Sequence, residues 1–118
     1  MVASQENREK YERIFNIILE SQKNMLGQKV ALKYARKTPL NITPGGELQG
    51  YYGEGKSVLN LVMAQYEQVW GKEVAERKIG RKLKDELSED YYELLTSELR
   101  EVEPRKGLIQ QLKEKVAG

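Results

Sequence analysis

The sequence contains no cysteine and no histidine. The first absence excludes a disulfide framework, a thiolate nucleophile, an iron–sulfur cluster and any Cys-containing zinc site. The second excludes a Ser-His pair, a Glu-x-x-His di-iron motif, an imidazole metal ligand and the one side chain that titrates unperturbed near neutrality. Long hydrophobic runs are missing too. No window approaches the roughly 18 continuous apolar residues of a spanning helix, and Met1 to Arg8 show no apolar stretch behind a basic start. Neither a membrane span nor a secretory signal is expected, and the default location is cytoplasmic. Asn41-Ile42-Thr43 matches a glycosylation acceptor, but three residues recur too often by chance to carry weight.

What is present fits one small, mainly α-helical domain over residues 1–118. The 118 residues include 20 Lys+Arg and 18 Asp+Glu, a formal charge of +2. Charged residues make up 32% and the apolar set 39%, enough for a modest core. With a single Phe and a single Trp against seven Tyr, a helical chain of this kind is expected to hide some aromatic faces against a second copy.

From about residue 5 to 37 the pattern is helical: Tyr11, Ile14, Phe15, Ile18, Leu19, Met25 and Leu26 recur at three and four. Gly27 interrupts a composition that Val30, Ala31, Leu32, Tyr34 and Ala35 continue, so either one long helix bends there or two helices meet. Pro39 pushes Thr38 towards extended geometry and ends any helix near Lys37. A small β-hairpin is predicted over about 40–52, with Thr43-Pro44-Gly45-Gly46 as a type II turn whose positive φ falls on Gly45. Three shorter helices follow, over about 57–70 with Ser57 as N-cap, 72–87, and 89–100 after Ser88. A short terminal helix is predicted over about 105–116. No internal repeat is apparent.

Gly50-Tyr51-Tyr52-Gly53-Glu54-Gly55-Lys56-Ser57 matches the phosphate-loop pattern, in which Gly50, Gly55, Lys56 and Ser57 would cradle a nucleotide. The polar, turn-like segment before it is not the buried parallel strand such a loop requires. In the competing reading the glycines release the chain from a hairpin and Ser57 caps a helix. Two basic segments offer another site. Between Glu20 and Glu47 the only charges are positive, including Lys29, Lys33, Arg36 and Lys37, and residues 77–84 hold Arg77, Lys78, Arg81, Lys82 and Lys84. Such runs neutralise phosphates. Against that, residues 85–103 hold eight acids and one base, and Glu73–Arg77, Arg81–Asp85 and Lys82–Glu86 sit at i,i+4, where charges pair along one helix.

No catalytic constellation, metal site or cofactor is expected, and the chain is read as a non-enzyme. The expected function is a non-catalytic interaction or regulatory module, homodimeric through Tyr11, Ile14, Phe15, Ile18 and Met25, with a possible protein partner, the hairpin exposed and adaptable, and the polar tips of Tyr11, Tyr66 and Trp70 left wet. The alternative is a small nucleic-acid- or anion-binding protein using the two basic segments. The third is nucleotide binding through Gly50–Ser57.

Overall fold

The computed structural model describes residues 2–102. Within them the chain is mainly helical, with one two-stranded antiparallel hairpin. The stripe through Tyr11, Ile14, Phe15 and Ile18 belongs to α1, Val2–Leu26. The helix does not continue to residue 37. Gly27 adopts φ 85, ψ 156, a region essentially closed to any residue with a β-carbon. Its N–H donates to the Lys23 carbonyl at 2.9 Å and its own carbonyl accepts from the Ala31 N–H at 3.1 Å. One residue therefore ends α1 and starts α2, Gln28–Ala35.

The hairpin pairs β1, Leu40–Ile42, with β2, Leu48–Tyr51. Leu40 faces Tyr51 and Asn41 faces Gly50, but Ile42 faces Leu48, so the register shifts by one residue. The turn differs from the predicted one. The Gly46 N–H closes it onto the Thr43 carbonyl at 2.9 Å, and positive φ falls on Gly46 (93°), not Gly45. That excludes type II, which needs positive φ at its third residue, and resembles the loops in which a type I turn is followed by a left-handed glycine. Nor is the hairpin free. Lys23 Nζ donates to the Gly46 carbonyl at 2.6 Å, Gln28 Nε2 to the Gly45 carbonyl at 3.2 Å and Arg36 to the Thr43 carbonyl at 2.9 Å. A two-stranded ribbon is marginal alone, and α1 and α2 supply its anchors.

The second half repeats the helical corner. α3, Gly55–Trp70, and α4, Lys72–Glu86, meet at Gly71, with φ 82 and ψ 159. The Gly71 N–H donates to the Glu67 carbonyl at 2.8 Å and its carbonyl accepts from the Ala75 N–H at 3.0 Å, the same pattern as at Gly27. A shift of 44 residues, which carries Gly27 onto Gly71, also carries buried Ile14, Phe15, Ile18, Leu19 and Ala31 onto buried Val58, Leu59, Val62, Met63 and Ala75. Few identities mark this correspondence in the sequence.

Beyond α4 the predicted helix over 89–100 is two shorter pieces. Glu89–Leu94 form a 3-10 helix, Leu95 and Thr96 are extended, and α5, Ser97–Glu101, starts on Thr96, whose hydroxyl accepts from the Leu99 N–H at 3.3 Å. Ser88 makes no capping bond, and its hydroxyl instead contacts Asp90. The terminal helix expected over about 105–116 lies outside the described residues.

One core joins these elements, and it contains the ridge assigned from sequence to a dimer. Ile14 and Phe15 are 0% exposed, Ile18 1% and Tyr11 7%. Tyr51 closes over the ridge, its ring centre 5.1 Å from that of Phe15 and 6.3 Å from that of Tyr11, while Arg8 lies 4.2 Å over the outer ring. Burial of each large apolar side chain is worth about 1.5–3 kcal/mol, and here a single chain supplies it. Those four residues have no surface left for a second copy. Of the five assigned to the interface, Met25 alone is open to solvent, at 39%.

Candidate functional site

The phosphate-loop pattern resolves into a hairpin exit and a helix cap. Gly50 belongs to β2, and Gly55 is the first residue of α3. The carboxylate of Glu54 sits at the start of α3. It accepts the Lys56 N–H at 3.1 Å, the Ser57 N–H at 3.0 Å and the Ser57 hydroxyl at 2.6 Å. Glu54, not Ser57, caps the helix. The Ser57 hydroxyl and then the two backbone donors hold its carboxyl below the ordinary 4.5. The backbone donors of Lys56 and Ser57, which would cradle an anion at a helix start, are thus bonded to an internal carboxylate, while Gly50 lies in the strand before it.

The two basic segments part company. Lys29 and Lys33 are exposed on α2, with Arg36 and Lys37 just after it. Arg36 is engaged with the hairpin carbonyls of Ile42 and Thr43, and Lys33 and Lys37 flank the Tyr34 ring at 5.9 and 5.2 Å. On α4, Arg77 is exposed, but Arg81 and Lys84 are half-buried and not on a freely solvated face. Lys84 contacts the Arg100 carbonyl and lies 5.3 Å from the Tyr92 ring.

Lys78, Arg81 and Lys82 converge instead on a groove. Its other wall is the C-terminal part of α1, through Ser21, Asn24 and Met25, and Asp85 stands at one end. The volume is about 390 Å³, within the range of ligand sites. Three cations against one carboxylate give the lining a positive balance. Lys82 is partly spoken for by Glu86 at 3.4 Å, the one of the three foreseen i,i+4 pairs that closes among the described residues. Lys78 Nζ lies 4.8 Å over the ring of Trp70, whose indole N–H donates to Gln22 Oε1 at 2.8 Å. Gln22 is wholly buried, and its Nε2 has no partner among the described residues.

A smaller cavity of about 150 Å³ lies on the other side of α4, between α3 and α5. Glu67, Glu76 and Glu98 give it acidic walls, Lys72 sets one cation among them, and Met63 and Leu99 are apolar lining. Burial raises the Glu76 carboxyl above 4.5, Lys72 pulls it back, and Glu67, Glu98 and Glu73 push it up again. Among the described residues no group of three carboxylates is placed to hold a metal ion.

Sequence reasoning separated Met25 from Lys78, Arg81 and Lys82, and overlooked Ser21 and Asn24. Only the packing of α1 against α4 joins them, and no local spacing encodes that. The tyrosine tips are not wet either: Tyr11 donates to the Leu94 carbonyl at 3.1 Å and Tyr66 to the Ala31 carbonyl at 2.9 Å, both buried. No helix among the described residues is long and apolar enough to cross a membrane. Compared with known protein families, curated proteins and solved structures, the chain matches none.

Proposed function

We propose that this chain is a non-catalytic interaction module that receives an anionic partner in the groove between α1 and α4. The observation carrying this reading is the convergence of Lys78, Arg81 and Lys82 with exposed Met25 on one open groove. Cations there attract a negatively charged group over several ångströms and set its orientation, while Met25 offers one apolar contact. Ser21 and Asn24 add polar groups that can hydrogen-bond the same partner. The α2 cations support it less, because Arg36 already serves the hairpin.

Trp70 is the sole tryptophan and touches Lys78, so it reports on the groove. Titrating the chain with poly-L-glutamate at low salt is expected to change Trp70 emission, and the change is expected to vanish in Lys78→Glu/Arg81→Glu and in high salt. In a chain that is monomeric at low salt, unchanged emission together with no retention on a poly-glutamate column would overturn the reading.

A further inference from the structure

The groove wall on α4 carries charge of both signs in a fixed order. Lys78, Arg81 and Lys82 come first, and Asp85 shares their face at the other end of the groove. Exposed Glu86, bridged to Lys82, is the last residue of α4. Along the helix Lys78 and Asp85 are about 10 Å apart at 1.5 Å per residue. A partner of uniform negative charge, such as a nucleic-acid backbone, would gain from the three cations and be repelled by Asp85 in the groove and Glu86 beside it. The partner that satisfies the whole strip presents acids opposite the cations and a cation opposite the acids.

This chain carries such a strip itself. Set antiparallel across a two-fold axis, two copies of α4 place Arg81 and Lys82 of each against Glu86 and Asp85 of the other, and every contact occurs twice. A parallel arrangement would oppose like charges. We infer that the occupant of the α1/α4 groove is the α4 strip of a second copy, in an isologous antiparallel dimer. The inference rests on the groove reading above and adds the identity of the partner. It also relocates the dimer from the buried Tyr11–Ile18 ridge to a surface that Met25 still borders.

Exposed ion pairs are individually weak and screened by salt, so the dimer is a weak, salt-sensitive one. Sedimentation of the full chain from about 0.01 to about 1 M salt, over which the Debye length falls from about 30 to about 3 Å, is expected to show a dimer that dissociates, with its Kd rising at least about tenfold. Two variants make the assignment specific: Arg81→Glu/Lys82→Glu turns the strip acidic, and Asp85→Lys/Glu86→Lys turns it basic. Each alone is expected to be monomeric at low salt, and their equimolar mixture to associate again, which also shows that both have folded. Association of either variant alone, or a mixture that stays monomeric, overturns the inference. A wild-type chain that is monomeric at low salt yet binds poly-L-glutamate overturns the self-pairing and leaves the groove reading standing. A wild-type chain that does neither overturns both.

Discussion

The ring of Tyr11 lies directly on the α-carbon of Gly55: a β-carbon added there would stand 2.2 Å from Tyr11 Cδ2 and 2.4 Å from Cε2. The ring has nowhere to go, since it stacks on Phe15 at 6.0 Å and its hydroxyl is held by the Leu94 carbonyl. Gly55, the second glycine of the phosphate-loop pattern, is therefore a packing glycine. Gly55→Ala is expected to destabilise by about 1–3 kcal/mol, as overpacking does, despite the better helix propensity of alanine. Urea denaturation checks this. An unchanged or higher midpoint would contradict it.

Gly27 and Gly71 make the opposite case, because nothing lies within 4 Å of a β-carbon added at either. Space is not the constraint there; the dihedrals are. The corners sit at φ 85, ψ 156 and φ 82, ψ 159, where a side chain costs about 1–3 kcal/mol. Gly27→Ala and Gly71→Ala are each expected to lose that amount in thermal or urea denaturation. Since the corners share their geometry, the two losses should be of similar size.

Glu54 predicts an acid-side signature. Its folded pKa lies below the ordinary 4.5, so its ionised cap contributes stability above about pH 4.5, and that contribution is lost as pH falls through the lower folded value. Glu76 acts in the other sense: its pKa is raised, and protonating it as pH falls relieves a penalty. Comparing wild type with Glu54→Gln isolates the cap. The variant is expected to be less stable at pH 7 and to converge on wild type at low pH. Because the same carboxylate occupies the helix-start donors, Mg-ATP and Mg-GTP are expected to leave the melting temperature of the wild-type chain unchanged.

The buried ridge gives a test free of association. Ile18 is 1% exposed and packs within one chain, so Ile18→Ala should cost about 2–5 kcal/mol. Measured in high salt, the loss should not vary with protein concentration, as it would if a second subunit covered the side chain. Met25→Ala removes a residue that is 39% exposed and is expected to cost clearly less.

The helical stripes were legible because their period is written locally: Ile14, Phe15 and Ile18, or Ile79, Leu83 and Leu87, announce a buried face by spacing alone. What covers that face was not. Tyr51 closes over Phe15 from 36 positions away, a contact no local window contains. Ser57 has the residue type preferred at a helix start, yet Glu54 reaches the Lys56 and Ser57 N–H groups with a longer side chain. Gly27 was ambiguous for a simple reason, since the residues on either side suit a helix and only its own backbone dihedrals decide. The match between the two halves was hidden because few identities survive, such as Asn16 with Asn60 and Val30 with Val74, while the rest keep burial and change shape. For the groove, the basic run on α4 was visible and its partner wall on α1 was not.

Tyr66 is expected to contribute to the alkaline loss of stability. It is 1% exposed, its hydroxyl donates to the Ala31 carbonyl at 2.9 Å, and burial raises its pKa well above the ordinary 10.0. In the unfolded chain the phenol ionises near pH 10, whereas in the folded chain it keeps its proton. Between those two values the folded state binds more protons, so stability falls as pH rises, starting near pH 10. Tyr66→Phe removes the titrating group and one buried hydrogen bond. At pH 7 the variant is expected to lose about 0.5–1.5 kcal/mol, the net worth of such a bond. Above pH 10 the gap should close and then reverse as wild type weakens faster. Tyr11, Tyr51 and Tyr92 are raised too, so the variant retains a shallower alkaline decline. Parallel urea titrations of the two chains at stepped alkaline pH measure the difference, and a gap that stays constant across that range would assign the alkaline loss to other groups.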